Sequence, residues 1–167
     1  MDLIALAAVS DNWVIGQGNE LPWRSIPEDK QQYRDRTSDW PVILGRRTYE
    51  SMLDDLPGNQ QIVLTTQPEA VSSRPDVSLV TSIRDALSTL RDLEVDRAYV
   101  LGGGAIYEVF LPHLDRVLLS RVSGSYEGDT HFPRLERMDW ECIDMETRTG
   151  FTLETWVPAS SDTAVTD

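Results

Sequence analysis

Residues 99–110 read YVLGGGAIYEVF. Tyr99, Val100 and Leu101 favour a strand. Gly102, Gly103 and Gly104 stop it, and a helical pattern begins at once. A strand that turns into a helix is the repeating unit of α/β folds, because parallel strands need a crossover between them. The same order recurs on both sides of this stretch. LIALAAV (3–9) precedes a helix expected at about 26–36. PVILG (41–45) runs into a helical stretch at about 46–54. QIVLTT (61–66) and VSLV (77–80) precede a helix at about 82–93, and RAYVLG (97–102) leads to the fourth, at about 104–111. RVLLSRV (116–122), WECIDME (140–146) and TLETWV (152–157) then follow with little helix between them. The expectation is one α/β domain over residues 1–158, with a mostly parallel sheet and an antiparallel C-terminal hairpin at one edge. The polar residues 159–167 read as a fraying tail.

Composition narrows the function. The chain has 167 residues, 40% of them hydrophobic, enough for one folded core. No apolar run approaches the roughly 18 residues of a membrane span. The start, MDLIALAAVSDNW, has no basic region before its apolar run, so a secretory signal is not expected. The single Cys142 allows no internal disulfide and fits a reducing cytoplasm. No cluster of Cys and His suggests a metal. The net charge is −13, from 28 acids and 15 bases, and only Lys30 among the bases is a lysine. Such a surface repels nucleic acid and anionic membranes. Acid-rich and lysine-poor, the chain resembles proteins of salt-loving microbes, whose self-repulsion is screened at a Debye length of roughly 3 Å in molar salt. An ordinary acidic cytoplasmic protein is the simpler alternative.

Ligands of open α/β sheets sit beyond the carboxyl ends of the strands. Three such ends here suit an anion. VILGRRTYESM places Gly45, Arg46, Arg47 and Thr48 at a strand-to-helix turn, where backbone N–H groups and guanidiniums converge. The triple glycine would let bare backbone approach a pyrophosphate. Thr65 and Thr66 end a third strand with two hydroxyls. Taken singly, a glycine turn is often tight packing and an arginine pair a solvated face. GGGAIY also lacks the spacing of the Rossmann fingerprint, because Tyr107 stands where the last glycine would be. Together the three ends suggest a phosphorylated dinucleotide, with the guanidiniums favouring NADP over NAD.

LPWRSIPEDKQQYRDRT (21–37) carries two adjacent acids at a helix start. Ser25 and Glu28 fit a capping box with Pro27 in the first turn. Asp29 is not explained in that way. At helical spacing it shares a face with Ile26 and Tyr33, opposite Gln31, Arg34 and Asp35. A carboxylate turned toward an apolar cleft is a candidate for function. A second dipole-favoured acid is the plainer reading.

VIGQGNELPW, IPEDKQQYR, PVILGRRTYESM, LPGNQQIVLTTQ, VLGGGAIYEVFLP and EGDTHFP follow one another in the order and spacing of dihydrofolate reductases. The resemblance runs from about residue 3 to 157 and, with the acidity, is to a haloarchaeal form. It implies an eight-stranded, mostly parallel sheet with four flanking helices. It also implies NADPH-dependent reduction of 7,8-dihydrofolate by a monomeric cytoplasmic enzyme, with hydride passing to pterin C6, a proton reaching N5 through water, and no metal. Asp29 matches the carboxylate that binds the pterin, Trp23 a tryptophan that holds a water, and Ser120 a hydroxyl bonded to the carboxylate. Leu6, Ala8, Leu21, Tyr33, Met52, Leu101 and Tyr107 match the substrate pocket. Ala8, Ile15, Gly45, Arg46, Arg47, Thr48, Leu64, Thr65, Thr66, Gly102, Gly103, Gly104, Ala105, Ile106 and Tyr107 match the cofactor groove. The Gly102–Gly103 bond matches a cis peptide. The loop of about 12–23 matches a mobile active-site loop, braced by Asp129 and its neighbours.

One position departs from the family pattern. After LPG the family usually has an arginine for the carboxylate of the folate glutamate, and here Asn59 stands there. Lys30 and Arg34 are the cations that could serve instead. A related NADPH reductase of ribosylated pyrimidines shares the sheet and the glycine turn. LPW followed by Pro-x-Asp favours folate.

Overall fold

The computed structural model describes residues 1–16, 21–71 and 74–159. The strands are β1 (Asp2–Ser10), β2 (Val14–Gly16), β3 (Pro41–Gly45), β4 (Gln60–Leu64), β5 (Val77–Val80), β6 (Arg97–Val100), β7 (Arg116–Val122), β8 (Thr130–His131), β9 (Trp140–Arg148) and β10 (Phe151–Pro158). The helices are α1 (Pro27–Thr37), α2 (Arg46–Ser51), α3 (Ile83–Leu93) and α4 (Gly104–Phe110). Eight strands form one sheet in the order β5-β4-β3-β6-β1-β7-β10-β9, and β2 pairs with β8 separately. The pairings from β5 to β7 are parallel. β10 runs antiparallel to both β7 and β9, so the C-terminal hairpin closes one edge with β9 outermost.

The central strands are apolar on both faces because both faces are covered. On β1, Leu3, Ala5, Ala7 and Val9 join one core cluster, with Ala86 and Leu90 of α3 and Phe110 of α4. Ile4 and Leu6 join the other, with Tyr49 of α2 and the partly buried Tyr33 of α1. α3 is held by its apolar stripe and by Ser82, whose Oγ accepts from the Asp85 N–H at 3.0 Å.

α1 follows a different logic. Its fully buried residues are polar, Gln32 and Thr37, so beside Ile26 and Tyr33, which pack on the core as expected, its inner face carries polar groups. Acids lie in its first turn and arginines in its last, which suits the helix dipole. The expected capping box does not form. The N-cap is Ile26, with no side-chain cap, and this makes Glu28 the second helical residue rather than the third. Glu28 instead lies 3.8 Å from Arg148 of β9.

Two short strands escape the sequence pattern. β2 and β8 have three and two residues, too few to show an alternation. Their pairing ties the start of the 12–23 loop to the segment after Asp129. Gln17, Gly18, Asn19 and Glu20 of that loop, and the tail from Ser160 to Asp167, lie outside the described residues. Among the described residues no helix is long and apolar enough to cross a membrane, and no group of His, Cys, Asp and Glu could hold a metal.

Candidate active site

A cleft of about 1380 Å³ opens over the carboxyl ends of β1, β3, β4 and β6. A site for one drug-sized ligand measures roughly 300–1,000 Å³, so this cleft has room for a dinucleotide beside a second heterocycle.

At one end stands Asp29. It projects from the first turn of α1 toward β7, where Ser120 is buried opposite Ala8 of β1 and Leu153 of β10. Ser120 Oγ donates to Asp29 Oδ1 at 2.5 Å, and Gln32 Nε2 donates to the same oxygen at 2.9 Å. A hydroxyl and an amide therefore converge on one carboxylate oxygen. Leu6, Ala8, Leu21, Met52 and Leu101 line the same cleft, so the anchored carboxylate shares its wall with apolar side chains. Tyr33 and Tyr107 line it too. Tyr107 Oη donates to the Leu6 carbonyl at 2.8 Å, whereas Tyr33 Oη is buried without a partner. Burial, and next the charge of Asp29, push the Tyr33 hydroxyl well above the usual tyrosine range. Burial, and next Tyr33, do the same to Tyr107.

The other arm is built from three strand ends. Arg46, Arg47 and Thr48 begin α2, Thr65 and Thr66 follow β4, and Gly103, Gly104 and Ala105 lead into α4. Ile15, Leu64 and Ile106 add apolar wall. The Gly45 N–H donates to the Gly102 carbonyl at 2.8 Å and ties two of these turns together. The packing reading of the glycines holds at two positions. A Cβ on Gly45 would lie 2.9 Å from Ile106 Cγ1, and one on Gly104 would lie 2.6 Å from Thr130 Cγ2. The same bare backbone forms the floor of this arm. Arg46 lies 4.0 Å from Glu50 and keeps more than a third of its side chain in solvent. Guanidiniums, hydroxyls and glycine backbone are the donor set that a pyrophosphate and a ribose phosphate require.

Most of the expected site residues thus meet in one cleft, with two exceptions. Trp23 does not line it: its ring packs edge-on to Tyr126, centroids 5.5 Å apart, and against the α1–α2 side of the core. Gly102 is turned away, its carbonyl given to Gly45, although its bond to Gly103 is cis as the resemblance implies. Lys30 and Arg34 line the outer end of the cleft, where Arg34 pairs with Asp55. Asn59 is not there. Its amide donates to the Asp39 carbonyl at 2.9 Å and its backbone N–H to the Trp40 carbonyl. Sequence reasoning missed Gln32, Thr37, Asp55 and Thr130, which also line the cleft. Gln32 and Thr130 carried a signal, by their places in IPEDKQQYR and EGDTHFP.

A doubly covered, mostly parallel sheet with an anion-suited cleft at its strand ends defines a nucleotide-binding α/β protein. The family model "Dihydrofolate reductase" matches residues 2–153. Dihydrofolate reductase HdrB of Haloferax volcanii is 36% identical over 95% of this chain and 86% of its own length. Dihydrofolate reductase 1 of Haloarcula marismortui is 34% identical over 95% and 92%. Among solved structures, the dihydrofolate reductase of Enterococcus faecalis, complexed with NADP(H) and RAB-propyl, superposes with a TM-score of 0.79. It is 26% identical and covers 94% of this chain and 96% of its own. The chain belongs to the dihydrofolate reductase family.

Proposed function

We propose that the chain reduces 7,8-dihydrofolate to 5,6,7,8-tetrahydrofolate with NADPH. The observation that carries this is the two-ended cleft: an anchored carboxylate sharing its wall with apolar side chains at one end, and guanidiniums, threonines and glycine backbone at the other. NADPH held in that second arm would supply the hydride for pterin C6, with the proton for N5 coming from water. Arg46 and Arg47 would hold the ribose phosphate, and Thr48, Thr65, Thr66, Gly103 and Gly104 the pyrophosphate. Asp29 is acceptor-only when ionised. It would accept from the pterin 2-amino group and ring N–H, fixing the heterocycle with its reacting edge toward the cofactor. Ser120 holds the carboxylate in place. Such orientation is worth roughly 7–11 kcal/mol in favourable cases. Lys30 and Arg34, at the outer rim, would meet the glutamate tail. Arg34 reaches it with its charge already shared with Asp55, so the tail contact is weak.

The site and both of its arms belong to one domain, residues 1–158, and we infer a monomer of the cytoplasm that binds no nucleic acid. The unpaired Cys142 and the charge of −13 support this. The charge, together with the haloarchaeal relatives, also supports an enzyme that works in molar salt.

The test is oxidation of NADPH on addition of dihydrofolate, followed by absorbance across KCl concentrations. Turnover that rises toward molar KCl is expected. No turnover at any salt concentration would overturn the assignment, and a fold indifferent to added KCl would overturn the salt requirement.

A further inference from the structure

Gln32 is buried on the inner face of a helix that has almost nothing apolar to bury. Its amide is engaged at both ends. Nε2 donates to Asp29 Oδ1 at 2.9 Å and lies 3.4 Å from Ser120 Oγ, while Oε1 accepts from Arg36 Nε at 2.6 Å. Among the described residues Arg36 has no carboxylate within 4.0 Å, so Gln32 is the partner of its guanidinium. A carboxylate only accepts and a guanidinium only donates, and a side-chain amide has one group for each. The amide orientation is therefore chosen by its neighbours.

We propose that Gln32 is a positioning residue of the reaction: its amide joins Arg36 to Asp29 and turns the carboxylate so that Oδ2 is left for the substrate. This rests on the dihydrofolate reading above. Both hydrogen bonds are charge-assisted, and such bonds are short and directional. Ser120 and Gln32 occupy one oxygen from two elements, β7 and α1, so the carboxylate plane cannot rotate about its own bond. Removal of Gln32 frees that rotation and takes from the Arg36 guanidinium its amide partner. Three groups face Gln32: Asp29 and Arg36 from α1, and Ser120 from β7.

Gln32→Met keeps the length and removes the hydrogen bonds. Its kcat/KM for dihydrofolate is expected to fall about ten- to a hundredfold, the loss of one hydrogen bond to a charged group, while NADPH affinity stays within twofold of wild type. Gln32→Glu supplies the second readout. Two carboxyl groups at this separation share a proton. The protonated glutamate can donate to Asp29 as the amide does. The ratio of its kcat/KM to that of wild type is therefore expected to be highest at mildly acidic pH and to decline as pH rises. A glutamine that merely filled space would give a ratio independent of pH. Wild-type kinetics in Gln32→Met, or a pH-independent ratio in Gln32→Glu, overturns the proposal. A wild-type enzyme inactive with dihydrofolate would instead overturn the function on which it rests.

Discussion

Asp29→Asn should leave the site standing and stop it working. The two groups that anchor Asp29 both donate to Oδ1. An asparagine oxygen can accept both of them, so the anchors survive the change. The substitution falls on the other atom, where an N–H donor replaces Oδ2. That atom would then face the N–H groups of the pterin, donor against donor. A hydrogen bond to a charged group contributes about 1.5–3 kcal/mol. Two of them, the 2-amino and ring N–H contacts, amount to about 3–6 kcal/mol. At 1.36 kcal/mol per factor of ten, that is a fall of about a hundredfold to ten-thousandfold in kcat/KM for dihydrofolate. NADPH binds at the far arm and should keep its affinity. The measurement is steady-state kinetics in molar KCl, paired with a fluorescence titration of NADPH. A variant that binds NADPH normally and retains kcat/KM within tenfold of wild type would refute the reasoning.

Further outcomes follow from the same geometry. Arg46→Ala should weaken NADPH far more than NADH, and equal losses for the two cofactors would remove Arg46 from the 2′-phosphate. Arg121 reaches Glu154 with two hydrogen bonds, lies 4.3 Å from the Trp13 ring and keeps 14% of its side chain in solvent, against 6% for Glu154; Arg121→Met takes the cation from the buried Glu154, leaving it the Trp156 indole N–H, and should cost up to about 3–5 kcal/mol in urea unfolding. Because that pair is screened little by solvent ions, the loss should be similar in low and molar KCl. Tyr33→Phe removes a hydroxyl that bonds to nothing, so stability at neutral pH should hold or rise. Burial raises the Tyr33 pKa on folding, so its share of stability is full below the unfolded value of about 10 and is lost as pH climbs past it. An alkaline unfolding series should therefore show a shallower decline in Tyr33→Phe than in wild type.

What could be read from the chain, and what could not, divides along physical lines. PVILG and RVLLSRV were legible because a strand buried on both faces reads as a largely apolar run bounded by turn residues. GGGAIY was legible because only glycine suits that backbone: a Cβ on Gly104 would lie 2.6 Å from Thr130 Cγ2, and Gly102 has a φ of 109°. α1 was legible as a helix, and Ile26 and Tyr33 pack on the core as expected. The burial of Gln32 and Thr37 was not legible, because periodicity of apolar residues says nothing about polar groups on an inner face. The cap at Ser25 looked sound, yet the helix starts one residue later than the box needs. Trp23 had the motif of a site residue, but its edge-on contact with Tyr126 joins positions far apart in the chain and could not be read from it. Gln32 lay inside IPEDKQQYR, but nothing within that stretch marked it out, since its contact with Ser120 spans 88 positions of the chain.

The sheet order bears on how the protein is made. β1 is made before every other strand of this sheet and is one of its two central strands, held between β6 and β7. Asp2 lies opposite Arg97, and Ile4 lies opposite Arg116. Until those strands exist, the LIALAAV run has two bare edges and an apolar face on each side. Such segments are exposed to aggregation while the chain is incomplete. Closing so long a loop is also a slow step. The N-terminus of a growing chain must therefore be kept soluble for most of its synthesis, and it finds its place only when β7 arrives.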